Sequence, residues 1–470
     1  MALTDCWPGP QTASALGVSG GGNQMTRQKD TSKSKVAIAS LVGTTIEFYD
    51  FYIYGIAAAL VFKTIFFPTL DPVTGTIAAF ATFAVGFVSR PLGAIVFGHF
   101  GDRIGRKAML VASLLTMGIA TVLVGLLPTY SSIGIAAPIA LCLLRFAQGF
   151  GLGGEWGGAA LLATEYAPKG KRGMFGALPQ LGSAPGFLLS NGIFLLLSMT
   201  LSEEQFLGWG WRIPFLLSIV LIMFGLYVRL TIAETPVFQK VLEQEKQSKA
   251  PVMEVMRTHF LQVVLGGMAT AITYVLFFTT GTFGLSYGVD VLGFSRSHML
   301  SLTIVAVLAM AASTLYCGML SDRFGRARVI VISAVIAAVW AFFFFPLLDT
   351  KNTVVIMLAM SGTLAIMGGI YGPMGAYLPE LFTANVRYTG AALSYSLGGI
   401  FGGALAPIIA TDLAANYGSH SIGWYISGMA LLSILSVSIL RGRMPKSFED
   451  TSHDGAKPAA TVPAAATSIR

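Results

Sequence analysis

The chain alternates between long apolar runs and short polar segments over most of its length. The apolar runs lie at 36–62, 76–97, 108–128, 135–163, 173–199, 211–231, 259–285, 298–318, 329–348, 353–379, 388–413 and 421–440. Each is long enough for the roughly 20 residues that a helix needs to cross a bilayer. Because the hydrocarbon core offers no partner to backbone amides, spanning segments of this kind form helices. The pattern predicts an all-α membrane protein with twelve transmembrane helices.

Composition agrees with a membrane protein. Apolar residues make up 54% of the chain, charged residues 11%, and the mean hydropathy is +0.72, whereas soluble domains carry about 25% charged residues. The net charge of +8 reflects topology, because 24 of the 30 Lys and Arg residues lie on one side when the N-terminus is cytoplasmic. By the positive-inside rule both termini are predicted to be cytoplasmic. The charge therefore does not indicate a nucleic-acid partner.

The polar segments divide the chain into domains. Residues 1–35 and 441–470 are rich in small and polar residues and are predicted to be disordered cytoplasmic ends. Residues 36–231 and 258–440 are each predicted to form a six-helix bundle. The hydrophilic stretch 232–257 is the predicted cytoplasmic connector between them.

A short basic motif occurs twice, as GHFGDRIGRK at 98–107 and GMLSDRFGRAR at 318–328. The spacing between Asp102 and Asp322 is 322 − 102 = 220 residues, close to half the chain. We interpret both copies as inner loops in which glycine permits tight turns. The residues of interest are Gly98, Asp102, Arg103, Gly105 and Arg106 in the first copy, and Asp322, Arg323 and Arg326 in the second.

A second matched pair supports a duplication. Glu165 precedes Arg172 by seven residues, and Glu380 precedes Arg387 by the same distance, at an offset of 380 − 165 = 215. Two pairs at nearly one offset predict two pseudo-symmetric six-helix bundles. Many secondary transporters are built in this way and bind the solute between the halves.

Charged residues inside apolar runs are the first candidates for function. Glu47 and Asp50 lie three residues apart and share a helical face. A charge at the bilayer centre costs about 2.5–3.5 kcal/mol on insertion scales, so it needs a partner, a proton or water. Helix depth predicts that Glu47 and Arg90 meet. The pair is either a proton-sensitive carboxylate beside an anion-binding arginine or a permanent structural ion pair.

The fourth run carries a second polar face. Arg145 and Gln148 share it and are candidates for substrate binding. Glu155 follows roughly 80° around the helix, where it is predicted to face the inner vestibule and to help release a proton. A planar guanidinium suits a carboxylate better than a lysine does. A structural pairing of Arg145 with Asp50 is an equal alternative.

The second half has no Lys or Arg inside its apolar runs, and hydroxyl groups are its polar candidates. Opposite a charged first half, such donors would suit a small polyhydroxylated or keto acid. Interhelical hydrogen bonding is the alternative role for each of them. The candidates, with two amides of the fifth run, are Gln180, Asn191, Tyr274, Tyr371 and Tyr395.

Several of these segments resemble the major facilitator superfamily and, within it, the metabolite–proton symporters. The resemblance covers about 36–440 and is carried by IEFYDFYIYG (46–55), RPLGAIVFGHFGDRIGRK (90–107), LRFAQGFGLGGEWGGAA (144–160) and PELFTANVRYTGAALSYS (379–396). The chain is most similar to the shikimate-type branch.

The resemblance implies a twelve-helix fold that works by alternating access, with the proton as coupling ion and no other cofactor. It implies that Asp102 and Arg106 belong to a latch that holds the inner helix ends in the outward-open state. It also implies that Arg145 serves proton coupling or substrate binding. The substrate itself is not indicated by these motifs.

The function predicted from the sequence is proton-coupled symport of a small carboxylate-bearing metabolite by a monomer in a bacterial-type inner membrane. Proton-coupled efflux of a drug or metabolite is the alternative, and a transporter-derived membrane sensor is a remote third. No catalytic constellation and no metal-binding set is apparent, so the sequence does not predict an enzyme.

Overall fold

A computed structural model of the chain describes most of its residues. The described residues are 43–104, 106–153, 163–164, 167–168, 170–232, 251–383 and 386–442. The predicted disordered ends lie almost wholly outside these ranges, as does most of the predicted connector. The part of the connector that is described is a short helix, Pro251–Thr258.

The twelve predicted membrane helices are present, and we number them in chain order. They are α1 (Gly43–Phe66), α2 (Pro72–Ile104), α3 (Arg106–Leu126), α4 (Ala136–Leu152), α5 (Arg172–Thr200), α6 (Ile213–Ile232), α7 (Phe260–Asp290), α8 (Arg296–Phe324), α9 (Arg326–Asp349), α10 (Thr353–Glu380), α11 (Arg387–Tyr417) and α12 (Ser421–Arg441). Ten are long and apolar enough to cross a membrane, and the apolar parts of α3 and α4 are shorter.

The helices form two bundles with the same packing scheme. In the first half α4 packs against α2 and α3, and α3 packs against α6. In the second half α10 packs against α8 and α9, and α9 packs against α12. Each pair in one half corresponds to a pair six helices later in the other. The predicted pseudo-symmetric pair of six-helix bundles is therefore confirmed.

The contact between the halves follows the same symmetry. Helix α5 of the first half packs against α8 and α10 of the second. Helix α11 of the second half packs against α2 of the first. Because α5 corresponds to α11 and α8 to α2, the two contacts are symmetry mates, and they flank the space between the bundles.

Glycine lets the helices within each half approach closely. A Cβ atom on Gly149 of α4 would lie 2.1 Å from the carbonyl oxygen of Gly86 in α2, and one on Gly372 of α10 would lie 2.2 Å from the carbonyl oxygen of Thr314 in α8. A side chain cannot occupy either position without moving backbone. Small residues at such contacts are the usual means of packing helices in a membrane.

The duplicated basic motif is mostly helical, which corrects its interpretation as a pair of loops. Helix α2 continues to Ile104, so it contains Gly98, Asp102 and Arg103. Helix α8 continues to Phe324, and the chain turns at Gly325, whose φ of 90° favours glycine. Polar residues beyond the hydrocarbon core extend the helices without contributing to hydropathy, which is why the sequence pattern ended the runs too early.

In the described part of the chain, three membrane helices contain a π-helical segment, in which one extra residue shifts the helical register. These segments are Ala58–Phe62 in α1, Thr279–Phe283 in α7 and Gly399–Ala404 in α11. Helix α5 instead has a turn at Gly182, between two prolines of the fifth run. The irregular segments lie in helices that line the space between the halves.

Candidate functional site

Contacts between the two halves lie at both ends of the space between them. We call the side on which α1 ends the outer side, following the predicted orientation, and the opposite side the inner side. At the inner side the carboxylate of Asp322 in α8 accepts hydrogen bonds from the backbone N–H groups of Gly173, at 2.6 Å, and Met174, at 2.9 Å. Both amides belong to the first turn of α5, where the helix dipole favours an anion.

The inner closure also includes direct backbone contact. A Cβ atom on Gly375 of α10 would lie 2.1 Å from the carbonyl oxygen of Gly176 in α5. Arg326 extends the closure sideways, since its guanidinium lies 3.3 Å from Asp322 and 3.3 Å from Glu380. Three predicted gating residues of the second half, Asp322, Arg326 and Glu380, are thus brought together at the contact between the halves.

The outer closure consists of side-chain ion pairs. Lys63 at the end of α1 pairs with Asp290 at the end of α7. Arg296 at the start of α8 pairs with Glu203, which precedes α6, at 2.7 Å. Each pair joins one half to the other. None of these four residues was among the residues proposed from the sequence, because charges at helix ends are common at a membrane surface.

A small cavity lies between the two closures. Its volume of about 30 Å³ has room for roughly two or three waters, so a solute would need the walls to move. Both halves contribute to the lining, which consists of Phe48, Phe51, Tyr52, Arg90, Ser183, Thr273, Tyr274, Phe277, Phe278, Met367, Tyr371 and Tyr395. Four of the predicted substrate residues are among them, namely Arg90, Tyr274, Tyr371 and Tyr395.

Arg90 is the cation of the cavity lining. It is 8% exposed, and its guanidinium carbon lies 4.5 Å from the ring centroid of Phe51 and 4.7 Å from that of Phe87. Its Nε has no hydrogen-bond partner among the described residues. Ring faces attract a cation without using its N–H groups. Arg90 therefore retains hydrogen-bonding capacity that a carboxylate in the cavity can use.

The expected pairing of Glu47 with Arg90 does not occur in this conformation. No ion pair within 4 Å joins these two residues in the described part of the chain, and the aromatic contacts recorded for Arg90 are with two phenyl rings. Helix depth placed both groups at similar heights but did not fix the rotation of α1. Glu47 is half-buried and lies within electrostatic reach of Tyr395, which faces the cavity.

A second polar group lies behind the cavity and is buried within the first half. Asp50 is fully buried, and its Oδ1 accepts a hydrogen bond from Ser218 of α6 at 2.6 Å. The amide Nε2 of Gln148 in α4 donates to the backbone oxygen of Asp50 at 3.2 Å and to Oγ1 of Thr121 in α3 at 2.8 Å. Four helices therefore meet at Asp50.

The hydroxyl of Thr121 can respond to the protonation of Asp50. Its Oγ1 lies 3.3 Å from Oδ2 of Asp50 and 2.9 Å from the carbonyl oxygen of Met117. A hydroxyl has one proton to donate and can also accept. When Asp50 is ionised, Thr121 can donate to the carboxylate; when Asp50 is protonated, Asp50 can donate to Thr121, which then donates to Met117. The site accommodates both states of the acid.

Arg145 completes this buried group. It is fully buried and donates to Gln148 and, at 3.4 Å, to the carbonyl oxygen of Phe83. Its guanidinium carbon lies within 5 Å of three ring centroids, those of Phe51, Tyr54 and Phe83. Its Nη2 has no hydrogen-bond partner among the described residues.

The sequence left open whether Arg145 pairs with Asp50. In the described part of the chain no ion pair within 4 Å joins them, and Gln148 contacts both. We call Asp50, Thr121, Arg145, Gln148 and Ser218 the buried cluster. Thr121 and Ser218 were not predicted, because a hydroxyl inside an apolar run gives no signal unless its neighbours on other helices are known.

Two predicted substrate residues of α5 lie outside the cavity lining. Gln180 donates to the backbone oxygen of Tyr371 at 3.2 Å. Asn191 donates to the carbonyl oxygen of Leu300 at 2.9 Å and to Thr303 at 2.7 Å. Both amides thus connect α5 to the second half. This position corresponds to the interhelical alternative considered for the polar residues of these runs.

Some predicted residues cannot be placed as side chains. Glu155, Glu165 and Gly105 lie outside the described residues, so their predicted roles remain predictions. The same holds for the side chains of Asp102, Arg103 and Arg106 and for the surroundings of Gly98, because the structure describes only the helical backbone at these four positions.

The remaining gating candidates are placed at the inner side. Arg172 begins α5 and Arg387 begins α11, where Arg387 is 8% exposed. Arg323 is exposed near the end of α8, with its guanidinium over the ring of Phe324. Their predicted part in gating remains a prediction.

Comparison with known proteins identifies the class. Residues 35–258 match the family described as Sugar (and other) transporter, and residues 292–469 match the Major Facilitator Superfamily. A solved D-xylose–proton symporter has the same fold, with a TM-score of 0.66 over 87% of this chain and 98% of that chain at 18% identity. The chain belongs to the major facilitator superfamily and is a multi-pass membrane transporter rather than an enzyme.

Curated relatives narrow the family. The chain is 49% identical to the inner membrane metabolite transport protein YhjE of Escherichia coli, over 86% of this chain and 93% of the relative. It is 40% identical to the shikimate transporter of Escherichia coli, over 87% of this chain and 94% of the relative. It is 34% identical to the proline/betaine transporter of Escherichia coli, over 92% of this chain and 87% of the relative. The predicted membership among metabolite transporters is confirmed.

Proposed function

We propose that this chain couples the inward movement of protons to the import of a small carboxylate-bearing metabolite. The observation that carries the proposal is Arg90, a cation with unused hydrogen-bonding capacity in a cavity lined by both halves. A carboxylate is the group that a guanidinium binds best. The shikimate transporter among the relatives supports an acid as solute.

The buried cluster supports proton coupling. A carboxyl group at this depth is costly when ionised and unpaired, so it tends to take up a proton or attract a cation. Asp50 has hydroxyl partners that serve both states, and the guanidinium of Arg145 is reached through Gln148. We infer that Asp50 holds the coupling proton and that Arg145 stabilises its ionised form.

The two closures fit alternating access. In this structure the outer ion pairs and the inner contact of Asp322 with α5 are both formed. Transport would break one closure at a time while the bundles rock about the cavity. We further propose an inner-membrane location with both termini in the cytoplasm, in keeping with the relative named as an inner membrane protein.

The test is uptake into proteoliposomes that contain the purified protein. Labelled shikimate, α-ketoglutarate, succinate and proline would be offered with and without an inward proton gradient, and a protonophore would provide the control. We expect gradient-dependent accumulation of one acid and none of the others. If proline accumulated and none of the three other acids did, the substrate class would be zwitterions rather than simple carboxylic acids.

Efflux by proton antiport is the second candidate function, because the same cluster can exchange a proton against an outgoing solute. It predicts that an outward-directed solute gradient drives proton uptake, and that an inward proton gradient never concentrates the acid. Preloaded vesicles with an entrapped pH indicator would distinguish the two directions.

A further inference from the structure

Phe51 lies between the cavity and the buried cluster. It follows Asp50 directly in α1, it is 5% exposed, and its ring forms part of the cavity lining. The guanidinium carbon of Arg90 lies 4.5 Å from the ring centroid of Phe51, and that of Arg145 lies 4.7 Å from the same centroid. One phenyl ring therefore contacts both arginines.

The neighbouring rings do not share this property. Phe87 contacts the guanidinium of Arg90, with the carbon 4.7 Å from the centroid, and Phe83 contacts that of Arg145 at 4.8 Å. Among the described residues, Phe51 is the one ring within cation–π distance of both arginines. Phe51, Phe83 and Phe87 can therefore be compared directly. All three rings are almost fully buried, and they differ in the arginine that each contacts.

The ring of Phe51 has little freedom to move independently. Its centroid lies 4.9 Å from that of Phe83, 5.0 Å from that of Phe87 and 5.9 Å from that of Phe278. Closely packed interiors pass on displacements rather than absorb them. If Arg90 leaves the ring to bind an acid, the ring and its contact with Arg145 must adjust together.

Phe87 and Phe83 also contact each other, with centroids 5.4 Å apart, so they form a longer two-ring path between the arginines, whereas Phe51 links them through a single ring. Helix α1 carries Glu47 beside Asp50, α2 contributes Arg90 and α4 contributes Arg145, with the phenol of Tyr54 against Arg145. Helices α3 and α6 present the uncharged Thr121 and Ser218. Glu155 lies outside the described residues. Among the contacts of the described residues, the most direct connection of Arg90 to the cluster is through Phe51.

We propose that Phe51 is the positioning residue that couples occupancy of the cavity to the proton on Asp50. An acid that draws Arg90 from the ring changes the contact of the ring with Arg145, and the change reaches the carboxyl group of Asp50 through Gln148 and Thr121. By linkage, the factor by which bound acid changes the proton affinity of Asp50 equals the factor by which protonation of Asp50 changes the affinity of the cavity for the acid. This inference rests on the proposed function, in that Arg90 binds the solute and Asp50 binds the proton.

The first experiment needs no substrate. Infrared titration of the purified full-length protein follows the band of a protonated carboxyl group, which Asp50→Asn assigns by removing it. Arg90→Lys keeps the charge and changes the contact, and it is introduced with and without Phe51→Leu. We expect Arg90→Lys to shift the titration midpoint by about threefold in proton concentration when Phe51 is present, and not when it is Leu.

An equal shift in both backgrounds would overturn the proposal, because the arginines would then communicate without the ring. Absence of a titrating band assigned to Asp50 would overturn it as well. Phe51→Tyr retains the ring and is expected to retain the shift, which separates a role in coupling from a role in packing. If Phe51→Leu fails to fold, Phe51→Met replaces it in the same comparison.

The second experiment measures binding of shikimate at acidic and neutral pH by calorimetry. We expect the ratio of the two dissociation constants to approach one in Phe51→Leu and to be unchanged in Phe83→Leu and Phe87→Leu. A ratio of dissociation constants near one in all three variants would contradict a specific role for Phe51. If the wild-type protein accumulates no acid, the proposed function fails, while the infrared comparison still decides the role of Phe51.

Discussion

The two halves share one helical frame but bury polar groups of different kinds. The first half holds Asp50, Arg90 and Arg145 within its membrane helices. In the described membrane helices of the second half, charges lie near the helix ends, and tyrosines supply the polar groups that face the cavity. The two halves thus share the packing of their helices and differ in the chemistry of their buried polar groups. The first half is suited to protons and anions, and the second to hydroxyl contacts.

The largest effect on this difference between the halves is expected from removing the buried carboxyl group of Asp50 in the first half. Asp50→Asn keeps the shape of the residue and removes its ability to ionise, so the proton has no binding site in the cluster. We expect gradient-driven accumulation of the acid to be abolished, while exchange of labelled for unlabelled acid continues. Counterflow and net uptake in the same vesicles measure both. Net accumulation equal to that of the wild type would show that Asp50 does not couple.

The cation of the cavity is the next most sensitive point. Hydrogen bonds to charged groups contribute about 1.5–3 kcal/mol, so Arg90→Gln is expected to weaken binding of the acid by roughly 10- to 100-fold. Arg90→Lys should recover part of the loss. Calorimetry with shikimate measures the dissociation constants.

Arg212→Gln is the matched control, since Arg212 is another arginine of the first half that bonds the carbonyl oxygens of Gly125 and Leu127. If Arg212→Gln weakened binding as much as Arg90→Gln, the effect would be one of folding rather than of recognition.

The shared frame predicts equal sensitivity of the two halves to a small packing change. Gly149→Ala and Gly372→Ala each place a methyl group against backbone, at symmetry-related contacts. Overpacking of this kind costs about 1–3 kcal/mol, so both variants should lower the melting temperature by similar amounts.

Gly192→Ala and Gly428→Ala are the controls for this comparison, one in each half, because an added Cβ meets nothing within 4 Å at either position. They are expected to melt at the wild-type temperature or slightly above it. A large difference between Gly149→Ala and Gly372→Ala would contradict the equivalence of the two frames.

The smallest effect is expected from the hydroxyl groups of the second half. The phenol oxygens of Tyr371 and Tyr395 lie 3.3 Å apart across the cavity wall. Tyr395 lines the cavity, so Tyr395→Phe removes a hydroxyl group that can hydrogen-bond the acid. A neutral hydrogen bond is worth about 0.5–1.5 kcal/mol, so the KM for the acid should rise roughly 2- to 10-fold. Tyr316→Phe, on an exposed residue of α8, serves as the control. An effect as large as that of Arg90→Gln would assign the main recognition to the second half.

Much of the fold could be predicted because hydropathy and duplication report on it directly. The run predicted at 353–379 corresponds to α10, Thr353–Glu380. The error at the basic motif has a physical origin, since a helix that leaves the hydrocarbon core keeps its backbone hydrogen bonds after its apolar pattern ends. Hydropathy therefore identifies the part of a helix that lies in the hydrocarbon core and not its whole length.

The candidate site could be predicted only in part. Arg90 was found because a charge inside a membrane is costly and therefore conspicuous. Phe51 was missed because the chain has 32 phenylalanines, and none is distinguishable until the cations around it are known. Asn191 was grouped with the substrate residues because a buried amide has the same sequence signature at a helix contact as in a binding site.

The π-helical segments record the history of the chain. The segment in α1 begins at Ala58 and that in α7 at Thr279, an offset of 279 − 58 = 221 residues, nearly the same as that of the duplicated motif. An inserted residue at matching positions indicates that the irregularity was already present in the ancestral half before that half was doubled. Lys63 and Asp290 join the outer ends of these two irregular helices.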